Sequence, residues 1–455
     1  MGSLPKNYKE KKELLLREFR AILQHRKKGD TVGLGKKTSN LFRVEKQSRR
    51  HKLDVTGFNR VIRIDRKKLL AEVEGMTTYE DLVDETLKFG LMPAVVPELK
   101  SITAGGATTG LGIESSSFKY GFVHETIEEI EILCGNGKTV VATKNNEHQE
   151  LFFGFPNSYG SFGYALKLKV KLVRVKPFVK LHHLFYNDDG EFFKDIGILG
   201  QRARMHGGID FIDGTVFERG KNYLTFATMT DKAPHLSDYK FMNIYYRSIA
   251  AKENDYLTIK DYIWRWDFDW FWCSKHFGVQ NPLVRFLFGK FCLKSTFYWK
   301  LRRLTNRFKI PQMLSKIQGR RYEDIIQDVQ IPLEHAQKFL HFFQKEIGIK
   351  PVWICPIQNY DPAWKFGLYP TDAQKFYINF GFWDAKLTTH ENGYYNRMIE
   401  AKVEELQGKK SLYSDSYYSP QKFWELYNRE SYVKLKAKYD PEGVFGDLYA
   451  KCVRR

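Results

Sequence analysis

Three short stretches of this 455-residue chain gather glycine and hydroxyl side chains. The longest is Thr103-Ala104-Gly105-Gly106-Ala107-Thr108-Thr109-Gly110-Leu111-Gly112-Ile113-Glu114-Ser115-Ser116-Ser117-Phe118-Lys119-Tyr120-Gly121, with five glycines and six Ser or Thr in nineteen residues. Glycine lets backbone N–H groups approach a ligand, and hydroxyls add donors. A pyrophosphate needs donors from several sides. A Rossmann turn is excluded, because Ser115 stands where its third glycine belongs. A flexible loop is the competing reading, although Ile102, Ile113 and Tyr120 are of a buried type.

The earliest stretch is Gly33-Leu34-Gly35-Lys36-Lys37-Thr38, followed by Ser39. A Walker loop would need glycine where Asp30 stands and Ser or Thr where Lys37 stands, so ATP hydrolysis is not expected. Glycine, lysine and hydroxyl together still make an anion cradle; a tight turn is the alternative. The third stretch, Gly160-Ser161-Phe162-Gly163, reads either as a hairpin turn or as backbone brought against a flat ring.

The elements that must position these stretches follow from local pattern. Residues 5–28 read as a basic amphipathic helix, either packed on the body or lying on a membrane surface. Strands are expected at 31–35, 61–65 and 70–73. Residues 78–89 form a helix capped by Thr77 or Thr78 and stopped at Gly90. Residues 127–133 and 138–142 form a hairpin through Gly135-Asn136-Gly137. A short helix at 151–155 precedes an alternating strand at 164–173. Beyond Pro177, strands at 224–229, 352–356 and 376–382 alternate with helices at 335–347, 394–406 and 420–427. This mixed order predicts an α+β fold. Its expected parts are a basic helix at 1–29, a ligand-binding domain at 30–176 and a second α+β domain at 177–455.

Bulk properties narrow the function. The length favours two domains. The net charge of +20 points to an anionic surface. Zinc-finger spacing and an aromatic–basic RNA-binding signature are missing, so nucleic acid is set aside in favour of anionic lipid. Five scattered cysteines without a CxxC pair argue against a disulfide framework or metal site and for a reducing, cytoplasmic setting. No apolar run of spanning length occurs, so membrane contact is expected to be peripheral.

Together the three glycine stretches resemble the flavoproteins of the vanillyl-alcohol-oxidase (PCMH) type. The match tightens around Val96-Pro97-Glu98-Leu99, Gly112 to Gly121 and Gly135-Asn136-Gly137. It continues through Val329-Gln330-Ile331-Pro332, Pro351-Val352-Trp353-Ile354-Cys355-Pro356 and Phe423-Trp424-Glu425. These segments resemble the 24-dehydrocholesterol reductase (Diminuto/Dwarf) branch. The run from Asp261 to Ser274, with Gln280-Asn281-Pro282, is also similar to bacterial reductases of 10-methylene fatty acyl chains. The resemblance implies a two-lobed FAD-binding domain followed by a substrate (cap) domain whose C-terminal helices return to the flavin. It implies FAD contacts from Gly35, Lys36, Thr38, Ser39, Thr103, Gly105, Gly106, Ala107, Gly110, Gly112, Ile113, Glu114, Ser115, Ser116, Tyr120, Gly121, Gly160, Ser161, Phe162 and Gly163. Relatives with covalent FAD place a histidine in the first glycine turn; here Lys36, Lys37 and Thr38 stand there, so non-covalent FAD is expected. His124 is read as a surface or core residue.

The implied reaction is reduction of an isolated carbon–carbon double bond in a lipid or sterol-like substrate, with NADPH as donor. Oxidation of a small alcohol or sugar is the alternative within the wider fold. An isolated alkene resists hydride until one carbon is protonated, so the site needs an acid in an apolar pocket. By residue type the candidates are Glu98, Glu114, Asp267, Asp269 and Tyr120. Of these, Glu98, Tyr120 and Asp269 are taken as the catalytic set and Glu114 as a structural acceptor. The tryptophans around Asp267 and Asp269 read either as a packed face or as a groove for an apolar chain.

Overall fold

The computed structural model describes residues 7–36, 42–43, 49–289, 292–293, 295, 297–298 and 319–454. Two antiparallel sheets carry the α+β architecture, with a small parallel pair, Thr31–Gly35 and Arg49–Asp54, beside them.

The first sheet runs in the order Val61–Asp65, Leu70–Glu74, Gly163–Arg174, Ile127–Cys134, Thr139–Thr143, and Leu91–Pro93 also pairs with Gly163–Arg174. Its central strand shows why the sequence reads as β. Leu166, Leu168, Val170 and Leu172 are buried, while Lys167 and Lys169 point the other way to Glu72 and Glu129 at 2.5 and 2.8 Å. The hairpin turn closes with Cys134 N–H donating to the Lys138 carbonyl at 2.9 Å and Gly137 at φ +79°. Helix Tyr79–Leu87 is capped by the Thr78 hydroxyl, which accepts from Asp81 N–H.

The glycine-rich stretch is not an open loop. It forms helices Ala104–Gly110 and Ser117–Tyr120, with Leu111 between them at φ +61°. Glycine's helix penalty of roughly 1 kcal/mol is outweighed here by packing. A Cβ on Gly105 would stand 2.8 Å from the Gly75 carbonyl, and one on Gly75 would overlap the Ala165 carbonyl. Bare backbone is what lets this helix approach the sheet.

The second sheet, eight-stranded among the described residues, runs Asn254–Thr258, Phe178–Tyr186, Lys221–Thr230, Phe211–Glu218, Val352–Ile357, Tyr377–Thr388, Arg321–Pro332, Lys409–Lys410. Ile378, Phe380, Phe382, Val329 and Ile331 bury one face against helices Asp189–His206 and Ala336–Phe342. Period-2 alternation turns Asp328 and Gln330 to the opposite face, paired with Gly381 and Asn379. Strands Phe178–Tyr186, Phe211–Glu218 and most of Arg321–Pro332, with helices Asp189–His206 and Arg429–Tyr439, are elements that local pattern did not predict.

Helix Tyr8–His25 packs on the body. Leu15 and Phe19 are buried, Phe19 stacks on Phe445 at 5.5 Å, and Lys11 pairs with Glu74. Helix Arg429–Tyr439 returns to the first lobe: Tyr432 packs on Phe162 at 5.1 Å, and Lys434 meets Glu150 at 2.6 Å. Among the described residues no helix is long and apolar enough to cross a membrane, and no cluster could hold a metal ion.

Candidate functional site: a cleft between a glycine wall and an aromatic wall

Both sheets line one elongated cleft. Its first wall is nearly bare backbone. Thr103, Gly105, Gly106, Ala107, Gly110, Gly112 and Ile113 face it, with Gly75, Gly160, Gly163 and Ala165. The amides of residues 104–107 are already engaged within the protein. They donate to the Thr77 carbonyl (2.9 Å), Gly75 carbonyl (2.9 Å), Thr103 Oγ1 (3.2 Å) and Thr103 carbonyl (2.8 Å). The glycines therefore serve this wall by lacking side chains rather than by freeing donors. Positive charge comes from elsewhere: Lys36, Arg43 and Lys451 all line the cleft. Arg43 lies 4.6 Å over the Tyr159 ring and donates to the Leu412 carbonyl at 2.8 Å; Lys451 donates to the Gly160 carbonyl at 2.9 Å. Bare backbone, hydroxyls and three cations in one cleft fit a dinucleotide diphosphate.

The second wall is aromatic. Trp270, Phe271, Tyr298 and Trp383 line it, with Phe271 edge-on to Trp383 at 4.3 Å and Trp270 5.5 Å from Tyr298. Trp270, Phe271 and Trp272 stand in succession at φ +51°, +53° and +55°. That conformation is costly for aromatic residues and persists only where surroundings enforce it. Two buried carboxyls just before the run tie it to its surroundings. Asp267 accepts the N–H groups of Lys100 (2.9 Å) and Ser295 (3.3 Å), and Asp269 accepts from Arg285 (3.3 Å) and the Ser274 hydroxyl. The rings of the tryptophan run pack together, as the first reading expects, and Trp270 and Phe271 also face the cleft.

Between the walls stand two carboxyl groups, Glu98 and Asp328. Burial and then repulsion from Glu114 push the Glu98 carboxyl well above its usual range, and its Oε1 has no hydrogen-bond partner. Burial also raises Asp328 to about 6, against hydrogen bonds from Asn379 (2.6 Å) and the Tyr413 hydroxyl. Gly381 makes room for Asp328, because a Cβ there would lie 2.8 Å from its Oδ1. Among the described residues neither carboxyl has an ion-pair partner. Local sequence pattern missed Asp328, Tyr413, Trp383, Arg43 and Lys451. An acidic residue on an otherwise apolar alternating strand was the available signal for Asp328.

Other expected site residues lie off the cleft. Glu114 pairs with the buried Arg265 at 2.9 Å, and Arg265 also holds Asp213 at 2.7 Å. Ser115 donates to Glu114, Ser116 donates to the Ala94 carbonyl at 2.8 Å, and Gly121 at φ +69° leaves space for the Glu125 carboxyl. Tyr120 stacks on Tyr360 at 6.3 Å, away from Glu98's cavity. Asp269 is raised to about 6 by burial, but its oxygens are taken up by the turn it holds. The Ser161 carbonyl accepts from Lys436 at 2.6 Å, and Phe162 packs on Tyr432. Gly35 ends its strand against Leu53, between the lining residues Leu34 and Lys36. Thr38 and Ser39 lie outside the described residues. His124 is buried between the Phe122 and Phe366 rings, and burial drives it down to about 3.

A bare-backbone wall with cations, opposed by aromatic rings, fits a flavin dinucleotide, and the FAD binding domain family matches residues 15–143. The chain carries an FAD-binding domain and is similar along most of its length to sterol reductases. It is 27% identical to Delta(24)-sterol reductase of Homo sapiens over 428 residues, covering 90% of this chain and 79% of that protein. It is 25% identical to the Arabidopsis thaliana Delta(24)-sterol reductase over 445 residues, covering 89% and 77%. Cytokinin dehydrogenase 1 of Arabidopsis thaliana is 28% identical over 150 residues, covering 33% of this chain and 25% of that protein.

Proposed function

We propose that the protein is an FAD-dependent oxidoreductase that reduces an isolated carbon–carbon double bond in a sterol-like lipid, with NADPH as the electron source. The observation that carries the reading is Glu98, a buried, unpartnered carboxyl in an apolar cleft whose pKa is driven upward. Burial favours the protonated form of such a group, which can give its proton to an alkene carbon. Protonation leaves a tertiary cation at a branched carbon, which one hydride then quenches; bound FAD supplies that hydride from N5. Oxidation of an alcohol would need a base in this position, and burial at Glu98 favours the acid form instead.

In this reading residues 30–176 bind FAD without a covalent link and residues 177–455 supply the substrate side, with residues 1–29 as a helical buttress. Lys36, Arg43 and Lys451 would face the diphosphate. Gly105, Gly106, Gly110 and Gly112 would leave room for the dinucleotide, and Gly160 and Gly163 would border the ring. Trp270, Phe271 and Trp383 would exclude water and hold the apolar substrate. Asp328 and Tyr413 would keep the Glu98 end of the cleft protonated. The protein would work in the cytoplasm, in peripheral contact with an anionic membrane.

The test is anaerobic mixing of the purified yellow protein with NADPH. Rapid loss of the visible flavin band is expected, and retention of that band with fast bleaching by an alcohol would overturn the reading.

A further inference from the structure

Helix Pro282–Phe288 presents its apolar side chains outward. Leu283, Phe286 and Leu287, spaced to share one helix face, are 68%, 62% and 75% exposed. The opposite face is anchored: buried Arg285 bonds Asp269, and Phe288 lies 6.5 Å from Trp270. The patch extends through Phe241, whose ring is 6.4 Å from Phe286, to the exposed Leu236 and Met242. Leu236 and Met242 share a shallow pocket with Pro282, Arg247 and Lys252. From Trp270 through Tyr322 the sequence carries twelve Lys and Arg and no Asp or Glu, within a total excess of twenty.

Exposed apolar side chains beside Arg247 and Lys252, on a chain with this net positive charge, suit an anionic bilayer, where the former enter the acyl region and the latter meet headgroups. A nucleic acid would use the cations but leave three large apolar side chains in water. The rings also lead inward, from Phe286 and Phe288 on the helix to Trp270, which lines the cleft.

We propose that this face docks on an anionic lipid surface, with Leu283, Phe286 and Leu287 inserted, and that apolar substrate enters the cleft past Phe288 and Trp270. What passes through rests on the lipid-reductase reading; the docking surface does not.

The test is co-sedimentation of the flavin-loaded protein with phosphatidylcholine vesicles, with and without about one third phosphatidylglycerol. Binding to the anionic vesicles is expected to be at least about tenfold tighter. A Leu283→Ser, Phe286→Ser, Leu287→Ser variant should lose about a hundredfold of that binding. It should keep its flavin spectrum and its NADPH bleaching rate. Met205→Ser, at a side chain 71% exposed on another helix, should change nothing. Equal binding to both vesicles, undiminished binding by the triple variant, equal loss with Met205→Ser, or preference for a single-stranded RNA competitor would each overturn the proposal. Normal bleaching without vesicle binding sinks the docking surface alone. Patch-dependent binding without bleaching supports the surface and sinks the reductase reading.

Discussion

Glu114 and Asp213 share the guanidinium of Arg265 at 2.9 and 2.7 Å, whereas Glu98 and Asp328 line an apolar cleft without an ion-pair partner among the described residues. Both clusters are buried, and both lie where the glycine segment meets the second sheet. In the first, charge is neutralised and tethers the segment to the strand carrying Asp213. In the second, burial raises both carboxyls, Glu98 well above its usual range and Asp328 to about 6, and so favours their protonated forms. Burial of a carboxyl is therefore not in itself a sign of function; the presence or absence of a cation beside it separates a tie from an acid.

Four substitutions press on that contrast. Glu98→Gln should lower turnover roughly 10²- to 10⁴-fold, leave flavin bleaching by NADPH intact, and leave urea stability within about 1 kcal/mol, because a neutral side chain replaces a neutral one. A large loss of stability would move Glu98 into the class of ties. Arg265→Met should strand two carboxylates and cost about 3–5 kcal/mol in urea unfolding. A near-neutral result would remove the contrast from the other side.

Asp328→Asn gives a smaller, pH-shaped effect. The folded pKa of about 6 lies above the ordinary aspartate value of 3.8, so this group's contribution is fully present below 3.8 and lost as pH rises through 6. The variant should therefore gain relative to wild type between pH 4 and 8, by up to about 3 kcal/mol. Parallel stability curves would place the proton elsewhere. Tyr120→Phe should change turnover less than about twofold and stability by less than about 0.5 kcal/mol, which a steady-state assay and a thermal melt can check. A large effect on turnover would return Tyr120 to the catalytic set.

Local rules made several elements legible before any coordinates. The hydroxyl of Thr78, the turn Gly135-Asn136-Gly137 and the leucine–lysine alternation along Gly163–Arg174 each act within a few residues. The glycine stretch was legible as a ligand wall by composition, but its form was not. Thr103 caps it as a helix, and Gly75, just past strand Leu70–Glu74, and Ala165, within Gly163–Arg174, provide its seat. Tyr120 and Glu98 are equally plausible acids by type. A single helical turn, Ser117–Tyr120, carries the tyrosine to Tyr360, while Glu98 stays in the cleft.

From residue order alone came the α+β class, the glycine-rich segment, the basic excess and Glu98 as one of five candidate acids, because composition, period and caps operate over a few bonds. Only the folded chain decided that Asp328 and Tyr413 join that acid, that Arg265 neutralises Glu114, and that three aromatic residues turn left-handed into a wall. Those outcomes depend on strand register and on contacts between residues as far apart as Glu114 and Arg265, which no local pattern encodes.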